Sequence, residues 1–332
     1  MSLNANFSAF LQLVDKVNSI LLIPHVSPDG DALGSVLALK SLLVRKNKQV
    51  AIMVDSPIPS QLKFLPEIND IMTPHCDSSN LSPFDLAVAV DVAAPERMGA
   101  VALYFNLAKE TAVIDHHENN TPFGKLRIID GNAPATAILI SQLYEISNTE
   151  ITKEDAICLY TALTTDTGNL LFDSTTPECF TLMAKLLKAG LPLSKYGNIL
   201  FLEKEESFVR ALGVALSSLR MSSDKKIAGV TLTMAQLANC NANDGDTNGI
   251  VNYALDIAGV KMAYFLREVS PGVIKGSLRC KPGFRIDEVA AEFTGGGHQM
   301  ASGYTVHLEM PEAIKRIENA LAMALAKQEM SC

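Results

Sequence analysis

The amino-acid sequence predicts an α/β fold in which a mostly parallel sheet carries helices on both faces. Short aliphatic segments alternate with helical segments through the first half, an order typical of right-handed βαβ units. The aliphatic segments are not interrupted by polar residues, as expected for strands buried on both faces. The chain has 332 residues, more than one core usually contains, so we expect a second, smaller α/β domain and a cleft between the two.

The individual elements follow from the same patterns. In the first half, strands are predicted at residues 19–25, 49–55, 85–91 and 111–115, and helices at 32–45, 134–146, 153–163 and 177–189. In the second half, a helix is predicted at 203–220, a polar loop at 239–249, strands at 260–268, 273–280 and 303–308, and helices at 286–293 and 311–327, with a glycine turn before the last strand. We therefore predict domains at residues 1–190 and 221–332, joined by a linker helix region at 191–220.

Composition narrows the function classes. The formal net charge of −8 argues against broad nucleic-acid binding by the field of the whole protein, although a local basic site for a short anionic substrate is compatible with it. We find no signal peptide and no apolar run near the roughly 20 residues of a membrane span. The six cysteines are scattered without a Cys-x-x-Cys pair, as in reduced packing residues. A cytoplasmic enzyme without a membrane partner is expected.

Acidic and histidine side chains recur where the predicted strands and one helix end. Ligands collect beyond the carboxyl ends of strands in an open parallel sheet, so these side chains are expected to meet. They are His25, Asp29, Asp31, Asp91, Asp115, His116, His117 and Asp166, the last in the stretch TTDTG after an apolar helix. Mixed His/Asp sites favour Mn²⁺-like ions, and two such ions about 4 Å apart can activate water for attack on a phosphoester.

Each of these residues also has a purely structural interpretation. Asp31 could be a helix N-cap, the pair His116–His117 could lie on the surface or in the core, and Asp166 could order a Thr-Gly turn. Their coincidence at the ends of elements in one sheet is what favours a metal site.

The same residues carry a family resemblance. The stretch HVSPDGDALGS from His25 to Ser35 resembles the first motif of the DHH phosphoesterase superfamily, and Asp91 in AVAVDVA resembles the second. Asp115-His116-His117 resembles the third motif, which names the family, and the stretch TDTG at 165–168 resembles the fourth. All four occur in the family order, and the similarity extends over nearly the whole chain.

The resemblance implies roles for these residues and two bound divalent ions, with Mn²⁺ favoured and Mg²⁺ or Co²⁺ as alternatives. One ion would be held by His25, Asp29 and Asp91, and the other by Asp31, Asp91, His116 and Asp166, with Asp91 as the bridge. His117 would act on the phosphate as a donor or general acid, and Asp115 would orient the histidines.

A glycine-rich stretch, TGGGHQMASG at 294–303, is the second informative feature. Successive glycines let backbone N–H groups approach an anion, although a bare Gly-Gly-Gly is by itself compatible with a flexible turn. Between residues 261 and 285 six basic residues stand against one acidic residue, Glu268. This excess predicts a phosphate pocket, with a lysine-protected strand edge as the alternative.

This stretch resembles the GGGH signature of the DHH-associated C-terminal domain, paired with Ser-Leu-Arg upstream. The resemblance implies that substrate binds to Arg279, Gly295, Gly296, Gly297 and His298. The family pattern has a fourth glycine where this chain has Thr294, which leaves the detailed shape of that loop open.

The layout is most similar to the bacterial nanoRNase/pAp phosphatase branch of the family. It implies hydrolysis of short oligoribonucleotides (nanoRNA) to mononucleotides, and of 3′-phosphoadenosine 5′-phosphate (pAp) to AMP, by metal-activated water. The expected partners are short oligonucleotides or phosphonucleotides and not long duplexes, and a homodimer is left open. The alternatives are a phosphodiesterase for c-di-AMP or pApA, an inorganic pyrophosphatase or exopolyphosphatase, and a non-catalytic nucleotide-binding module. Loss of a metal ligand would favour the last, and none of the motif residues is lost.

Overall fold

The computed structural model describes residues 3–74, 83–243 and 245–330. Of the six cysteines, Cys76 and Cys332 lie outside these ranges. The chain divides into two compact units, Met1–Glu203 and Lys204–Cys332. No helix of the described residues is both long and apolar enough to cross a membrane.

The first unit is built on a five-stranded sheet in the order β2-β1-β3-β4-β5, with every neighbouring pair parallel. The strands are β1 (Ser19–Ile23), β2 (Gln49–Ile52), β3 (Leu86–Val90), β4 (Glu110–Asp115) and β5 (Leu126–Ile129). Four of them were predicted; β2 ends three residues earlier than expected, and β5 was not predicted. β5 is only four residues long and contains the exposed Arg127, so it lacks a continuous aliphatic run that would predict a strand.

Helices cover both faces of this sheet. They are α1 (Leu3–Lys16), α2 (Gly30–Arg45), α3 (Ala102–Leu107), α4 (Thr136–Ile146), α5 (Lys153–Asp166), α6 (Pro177–Lys188) and α7 (Leu193–Gly197). One face packs against α1, α2, α4, α5 and α6, and the other against α3 and a 3-10 turn at Pro95–Val101. The predicted fold class of this unit is confirmed. A π-helical turn, Asn198–Leu202, follows α7.

Helix α5 runs three residues beyond its predicted end and includes Asp166, which the sequence placed in a loop after the helix. The hydroxyls of Thr161, Thr164 and Thr165 each donate to the carbonyl four residues earlier, at 2.9, 2.7 and 2.9 Å. These threonines therefore satisfy their hydroxyls within the helix instead of ending it.

The second unit contains a six-stranded mixed sheet in the order β10-β11-β9-β8-β7-β6, as expected for a smaller α/β domain. Its strands are β6 (Arg220–Met221), β7 (Ile227–Leu232), β8 (Met262–Ser270), β9 (Val273–Cys280), β10 (Gly296–His298) and β11 (Ala301–His307). Only β7 and β8 are parallel.

The helices of this unit are α8 (Glu206–Ser217), α9 (Met234–Asn239), α10 (Ile250–Leu255), α11 (Asp287–Glu292) and α12 (Met310–Glu329). Two separate cores lie on the two faces of the sheet. The prediction of a glycine turn before the last strand is wrong in part. Gly296, Gly297 and His298 form the short strand β10, which pairs with β11. A 3-10 turn at Gly245–Thr247 lies within the predicted polar loop.

Candidate metal centre and substrate-binding face

The candidate centre lies where the strand order of the first sheet reverses. Strand β1 has β2 on one side and β3 on the other, so the chain connections leave this point in opposite directions. In open parallel sheets such a switch point leaves a crevice at the carboxyl ends of the strands. His25 follows β1 and Asp91 follows β3, so these two side chains flank the crevice.

Two glycines of α2 bring α5 close enough to supply Asp166. A Cβ at Gly30 would lie 2.4 Å from Thr165 Oγ1, and one at Gly34 would lie 2.3 Å from the backbone oxygen of Cys158. Both separations are shorter than real Cβ atoms tolerate, so the approach of the helices requires glycine. The glycines of the first motif thus position a residue of the fourth.

The loop before α2 separates two acidic residues with different roles. Asp29 is the N-cap of α2, because its Oδ1 accepts a 3.0 Å hydrogen bond from Ala32 N while Oδ2 lies 3.7 Å from His25 Nε2. The suggestion that Asp31 is the N-cap is therefore wrong. Asp31 lies in the first turn of the helix and is fully buried.

Asp31 accepts hydrogen bonds from two backbone N–H groups at the start of α4 and from a hydroxyl of α2. Its Oδ2 accepts from Thr136 N at 2.6 Å and its Oδ1 from Ala137 N at 3.1 Å and from the Ser35 hydroxyl at 3.0 Å. The N-terminus of a helix favours a carboxylate at this position. The Thr136 hydroxyl donates in addition to Asp91 Oδ1 at 3.0 Å.

The two oxygens of Asp91 face different histidines. Oδ2 lies 3.7 Å from His25 Nε2, and Oδ1 lies 3.7 Å from His116 Nε2. The backbone of Asp91 is left-handed, with φ of +61°, and its N–H donates to Ile114 O at 2.9 Å. A carboxylate in this position can bind one cation through each oxygen.

Both histidines direct Nε2 into the centre, because Nδ1 of each contacts a backbone carbonyl. Nδ1 of His25 lies 2.8 Å from Val26 O and Nδ1 of His116 lies 3.0 Å from Ala133 O, and a proton on each Nδ1 completes these hydrogen bonds. Nε2 of His116 then faces the carboxylate of Asp166 at 3.0 Å. A backbone acceptor that fixes ring orientation in this way is typical of metal-binding imidazoles.

Potential ligand atoms form compact groups at the centre. Within each group the atoms lie within 4.8 Å of one another; the groups are His25, Asp29 and Asp91; Asp31, His116 and Asp166; and Asp91, His116 and His117. The first group is the same as one ligand set that the resemblance implies, and the second contains the other set without Asp91. Carboxylate and imidazole donors at these separations fit two divalent cations.

The charges of the site support the same fit. Burial, followed by repulsion from the Asp29 carboxylate, raises the pKa of Asp91 to about 7. Burial and repulsion from Asp91 raise the pKa of Asp31 well above its usual range. Burial lowers the pKa of His116, but its hydrogen bond to Asp166 and the charges of nearby carboxylates raise it to about 10. Buried carboxylates this close are stabilised in their ionised forms by cations.

His117 has a different environment from its neighbour. Its Nδ1 lies 2.7 Å from Asp115 Oδ1, and the other oxygen of Asp115 accepts from Asn120 Nδ2 at 2.6 Å. The hydrogen bond with Asp115 raises the pKa of His117 against the effect of burial. The ring is partly exposed, so Nε2 is accessible to a ligand.

In the second unit, Arg279 and His298 of the predicted substrate residues lie on one face of the sheet. His298 pairs with Ala301, Ala301 with Arg279 and Arg279 with Ala263, so these positions form one row across four strands. Directly paired residues share a face of a sheet. Arg279 is half-buried, which lowers its pKa, and its Nη1 donates to Leu278 O at 2.8 Å.

The glycines beside this row are required by close approaches. A Cβ at Gly295 would lie 2.3 Å from Gly303 O, and Gly297 has φ of +146° with Ala301 O 2.6 Å from its Cβ position. At Gly296 the Cβ direction is open. Thr294, where the family pattern has glycine, has a left-handed backbone with φ of +57°.

A cavity of about 300 Å³ opens on the same unit. It is lined by the basic residues Arg267, Lys275 and Arg279, together with Thr247, Asn248 and Ser277. Lys275, Ser277 and Arg279 alternate along β9 and therefore face the same side. Three of the six basic residues counted between residues 261 and 285 thus line one cavity.

Three residues that contact the centre were missed by the sequence reasoning. They are Thr136, Asn120 and Arg97, whose Nη2 lies 3.1 Å from His25 Nδ1. Thr136 and Asn120 bind carboxylates of the site. A threonine at the predicted start of a helix was a usable signal for Thr136, whereas an arginine six residues after Asp91 has no such signature.

Mixed imidazole and carboxylate groups at the switch point of a parallel sheet are typical of metal-dependent hydrolases. Known protein families identify the class of hydrolase. Residues 19–163 match the N-terminal domain of the DHH family, and residues 215–326 match the DHHA1 domain.

Curated relatives match this chain over about nine tenths of their own length. The bifunctional oligoribonuclease and PAP phosphatase NrnA of Thermus thermophilus is 32% identical over 93% of this chain and 90% of its own length. The protein of the same name from Bacillus subtilis is 25% identical over 90% of this chain and 92% of its own. The crystal structure of an exopolyphosphatase-related protein from Bacteroides fragilis superposes with a TM-score of 0.87, at 30% identity and 98% coverage of both chains. The chain belongs to the DHH family of phosphoesterases, as the four motifs indicated.

Proposed function

We propose that the protein hydrolyses short oligoribonucleotides to mononucleotides and pAp to AMP. The observation that carries this proposal is the intact six-residue centre in a chain that matches oligoribonuclease and PAP phosphatase relatives over nine tenths of its length. The intact centre also argues against a non-catalytic nucleotide-binding module.

In this proposal His25, Asp29 and Asp91 hold one divalent ion, and Asp31, Asp91, His116 and Asp166 hold the other. The ions would supply a water nucleophile at neutral pH and neutralise the phosphoryl oxygens. Mn²⁺ is the favoured ion because two imidazoles join four carboxylates in the set. Thr136 and the start of α4 keep Asp31 and Asp91 in place, so the chain supplies a preorganised site.

The proposed role of His117 is to donate a proton or hydrogen bond to the phosphate ester. Asp115 accepts from Nδ1 and itself accepts from Asn120, so the ring is fixed with Nε2 directed away from this network. A raised pKa keeps a larger share of the imidazole protonated near neutrality, as a general acid requires.

The second unit would bind the nucleotide. Arg279 is proposed to grip a phosphate through two parallel hydrogen bonds, and the backbone of Gly295, Gly296 and Gly297 together with His298 would complete the anion site. The cavity beside Arg279 is small and has room for only a few groups. Its size and the acidic net charge favour short substrates over long duplexes.

A substrate panel tests the proposal. Purified protein with Mn²⁺ is assayed on pAp, pApA, short RNA, c-di-AMP and pyrophosphate, in parallel with a sample dialysed against chelator. We expect kcat/KM to be highest on pAp or short RNA and activity to vanish without metal. A preference for c-di-AMP or pyrophosphate would replace the proposed substrate, and full turnover in chelator would refute the metal centre.

A further inference from the structure

Arg97 lies beside the candidate metal centre and contacts it through His25. Its side chain is exposed, and Nη2 lies 3.1 Å from His25 Nδ1. Among the described residues its guanidinium forms no ion pair, although the carboxylates of Asp29 and Asp91 lie on the far side of the same imidazole ring. Arginines near clustered carboxylates ordinarily pair with them.

The backbone around Arg97 is held by contacts with Val26, next to His25, and with Asp55, after β2. Arg97 O accepts from Val26 N at 2.7 Å, and Ala100 N donates to Asp55 Oδ2 at 2.7 Å. Gly99 has φ of +57°, and its Cβ position is 2.5 Å from that same Asp55 oxygen. The turn Pro95–Val101 is therefore held closely against the loop that follows β1, and the exposed guanidinium starts from an anchored position.

The hydrogen bonding of His25 leaves the guanidinium available. Nε2 of His25 faces Asp29 and Asp91, and Nδ1 lies 2.8 Å from Val26 O, so a proton on Nδ1 would be donated to that carbonyl. Arg97 carries only donors, so it has no hydrogen bond with His25 in the form in which Nδ1 holds that proton. Among the described residues only Nη2 of the guanidinium has a polar contact, so its other N–H groups can bind an anion beside the His25 ring.

We propose that Arg97 binds a non-bridging oxygen of the phosphate that is hydrolysed, as a further substrate-binding residue of the catalytic unit. This inference rests on the proposed phosphoesterase function and adds a specific ligand group to it. Negative charge grows on the phosphoryl oxygens as the nucleophile attacks, and a guanidinium that donates to them stabilises the transition state more than the ground state. Arg97 would thus differ from Arg279, which is proposed to bind a phosphate remote from the reaction.

Kinetics on two substrates separate these roles. Bis-p-nitrophenyl phosphate has a single phosphate and no nucleoside, whereas pApA has flanking phosphates as well. Arg97→Ala should lower kcat/KM about 100-fold on both substrates, mainly through kcat, by analogy with removal of a donor to a developing charge. Arg97→Lys should recover part of the loss, because it keeps the charge without the fork. Added guanidinium chloride should partly restore Arg97→Ala.

Controls exclude a structural explanation. Glu96→Ala alters the adjacent exposed position of the same turn and should retain wild-type kinetics. Elemental analysis should find unchanged metal content in Arg97→Ala, and the melting temperature should stay within about 2 °C of wild type, as for other exposed sites. Calorimetric titration with inorganic phosphate provides a readout without turnover, and Arg97→Ala should bind about tenfold more weakly.

Several results would overturn the inference. Normal hydrolysis of bis-p-nitrophenyl phosphate by Arg97→Ala would show that Arg97 does not contact the reacting phosphate. Loss of a metal ion would make it a positioning residue for His25. If the wild type cleaves the small diester and none of the nucleotides, the proposed substrate fails while the comparison of Arg97 variants still applies. If it cleaves neither, the phosphate titration decides, and equal affinities would refute the role.

Discussion

The Thr136 hydroxyl donates a 3.0 Å hydrogen bond to Asp91 Oδ1, the oxygen that faces His116. The same residue donates its backbone N–H to Asp31 at 2.6 Å, so one threonine orients two carboxylates of the centre. Both its backbone and its side chain are buried at the start of α4.

Replacement of Thr136 by valine should therefore weaken metal binding without disturbing the fold. Valine keeps the branched shape and the N–H to Asp31 but removes the donor to Asp91. Partners of metal ligands are typically worth 10–100-fold in affinity or activity. We expect the Mn²⁺ concentration for half-maximal activity to rise by about tenfold, and Thr136→Ser to remain close to wild type. An unchanged metal requirement in Thr136→Val would mean that the hydroxyl is dispensable.

Asp91→Asn should have opposite effects on activity and on the stability of the metal-free protein. Its folded-state pKa of about 7 exceeds the reference value of 3.8, so the carboxyl is stabilised in its protonated form. Such a group favours folding at low pH, and this contribution is lost as the pH rises from about 4 to 7. Asparagine has no charge to bury, so in chelator Asp91→Asn should melt higher than wild type at pH 8 and similarly at pH 4.

The activity of Asp91→Asn should fall by about 10³-fold or more. Asp91 is the proposed ligand shared by both metal ions, and the variant removes its charge. Thermal melts with and without Mn²⁺ measure the stability effect, and Mn²⁺ should stabilise the wild type more than the variant. A variant that is less stable than wild type at pH 8 without metal would contradict the proposed repulsion.

His117→Ala should slow the reaction without emptying the centre. General acid catalysis contributes about 10²–10⁴ in rate, whereas His116 is the proposed ligand of the pair. The alternative is that His117 is the metal ligand, since its Nδ1 also lies 3.7 Å from Asp91 Oδ1. Elemental analysis beside kcat distinguishes the two: two retained ions with slow turnover support the assignment, and one missing ion would exchange the roles of the histidines.

The sequence located the strands that surround the site because each is a short aliphatic run with a polar residue after it. It missed α1, although Phe7, Phe10 and Val14 are buried at helical spacing. Thr136 and Arg97 could not be found in this way. They contact Asp91 and His25 across 45 and 72 residues of sequence, and such contacts depend on the fold and not on a local pattern.

Thr294 shows what the departure from the family pattern means physically. Its φ of +57° falls in the region where a side chain with a Cβ is strained, by about 1–2 kcal/mol. Thr294→Gly should therefore raise the free energy of unfolding, by about 0.5–1 kcal/mol after the greater flexibility of unfolded glycine is included. Urea denaturation measures the change. Thr294→Ala keeps the Cβ and should bring no gain, so an equal gain in alanine would point to a cause other than backbone strain.

Arg279→Ala should impair nucleotides selectively. Arg279 lies in the second unit, on the row that also contains His298, and lines a cavity with two further basic residues. Lysine cannot reproduce the forked geometry of a guanidinium, so Arg279→Lys should be impaired as well. Removing a half-buried, charge-assisted phosphate contact is expected to cost about 2–4 kcal/mol in kcat/KM on pApA and short RNA.

Bis-p-nitrophenyl phosphate lacks the flanking nucleotide and should be hydrolysed by Arg279→Ala at nearly the wild-type rate. Arg316→Ala is the matched control, because this exposed arginine of α12 pairs with Glu312 and does not line the cavity. Arg97→Ala is expected to lose activity on both substrates, so the two arginine variants have distinct signatures. Equal losses on the diester and on pApA in Arg279→Ala would assign Arg279 to the fold or to the metal centre, and the binding energy for the nucleotide would have to come from other residues.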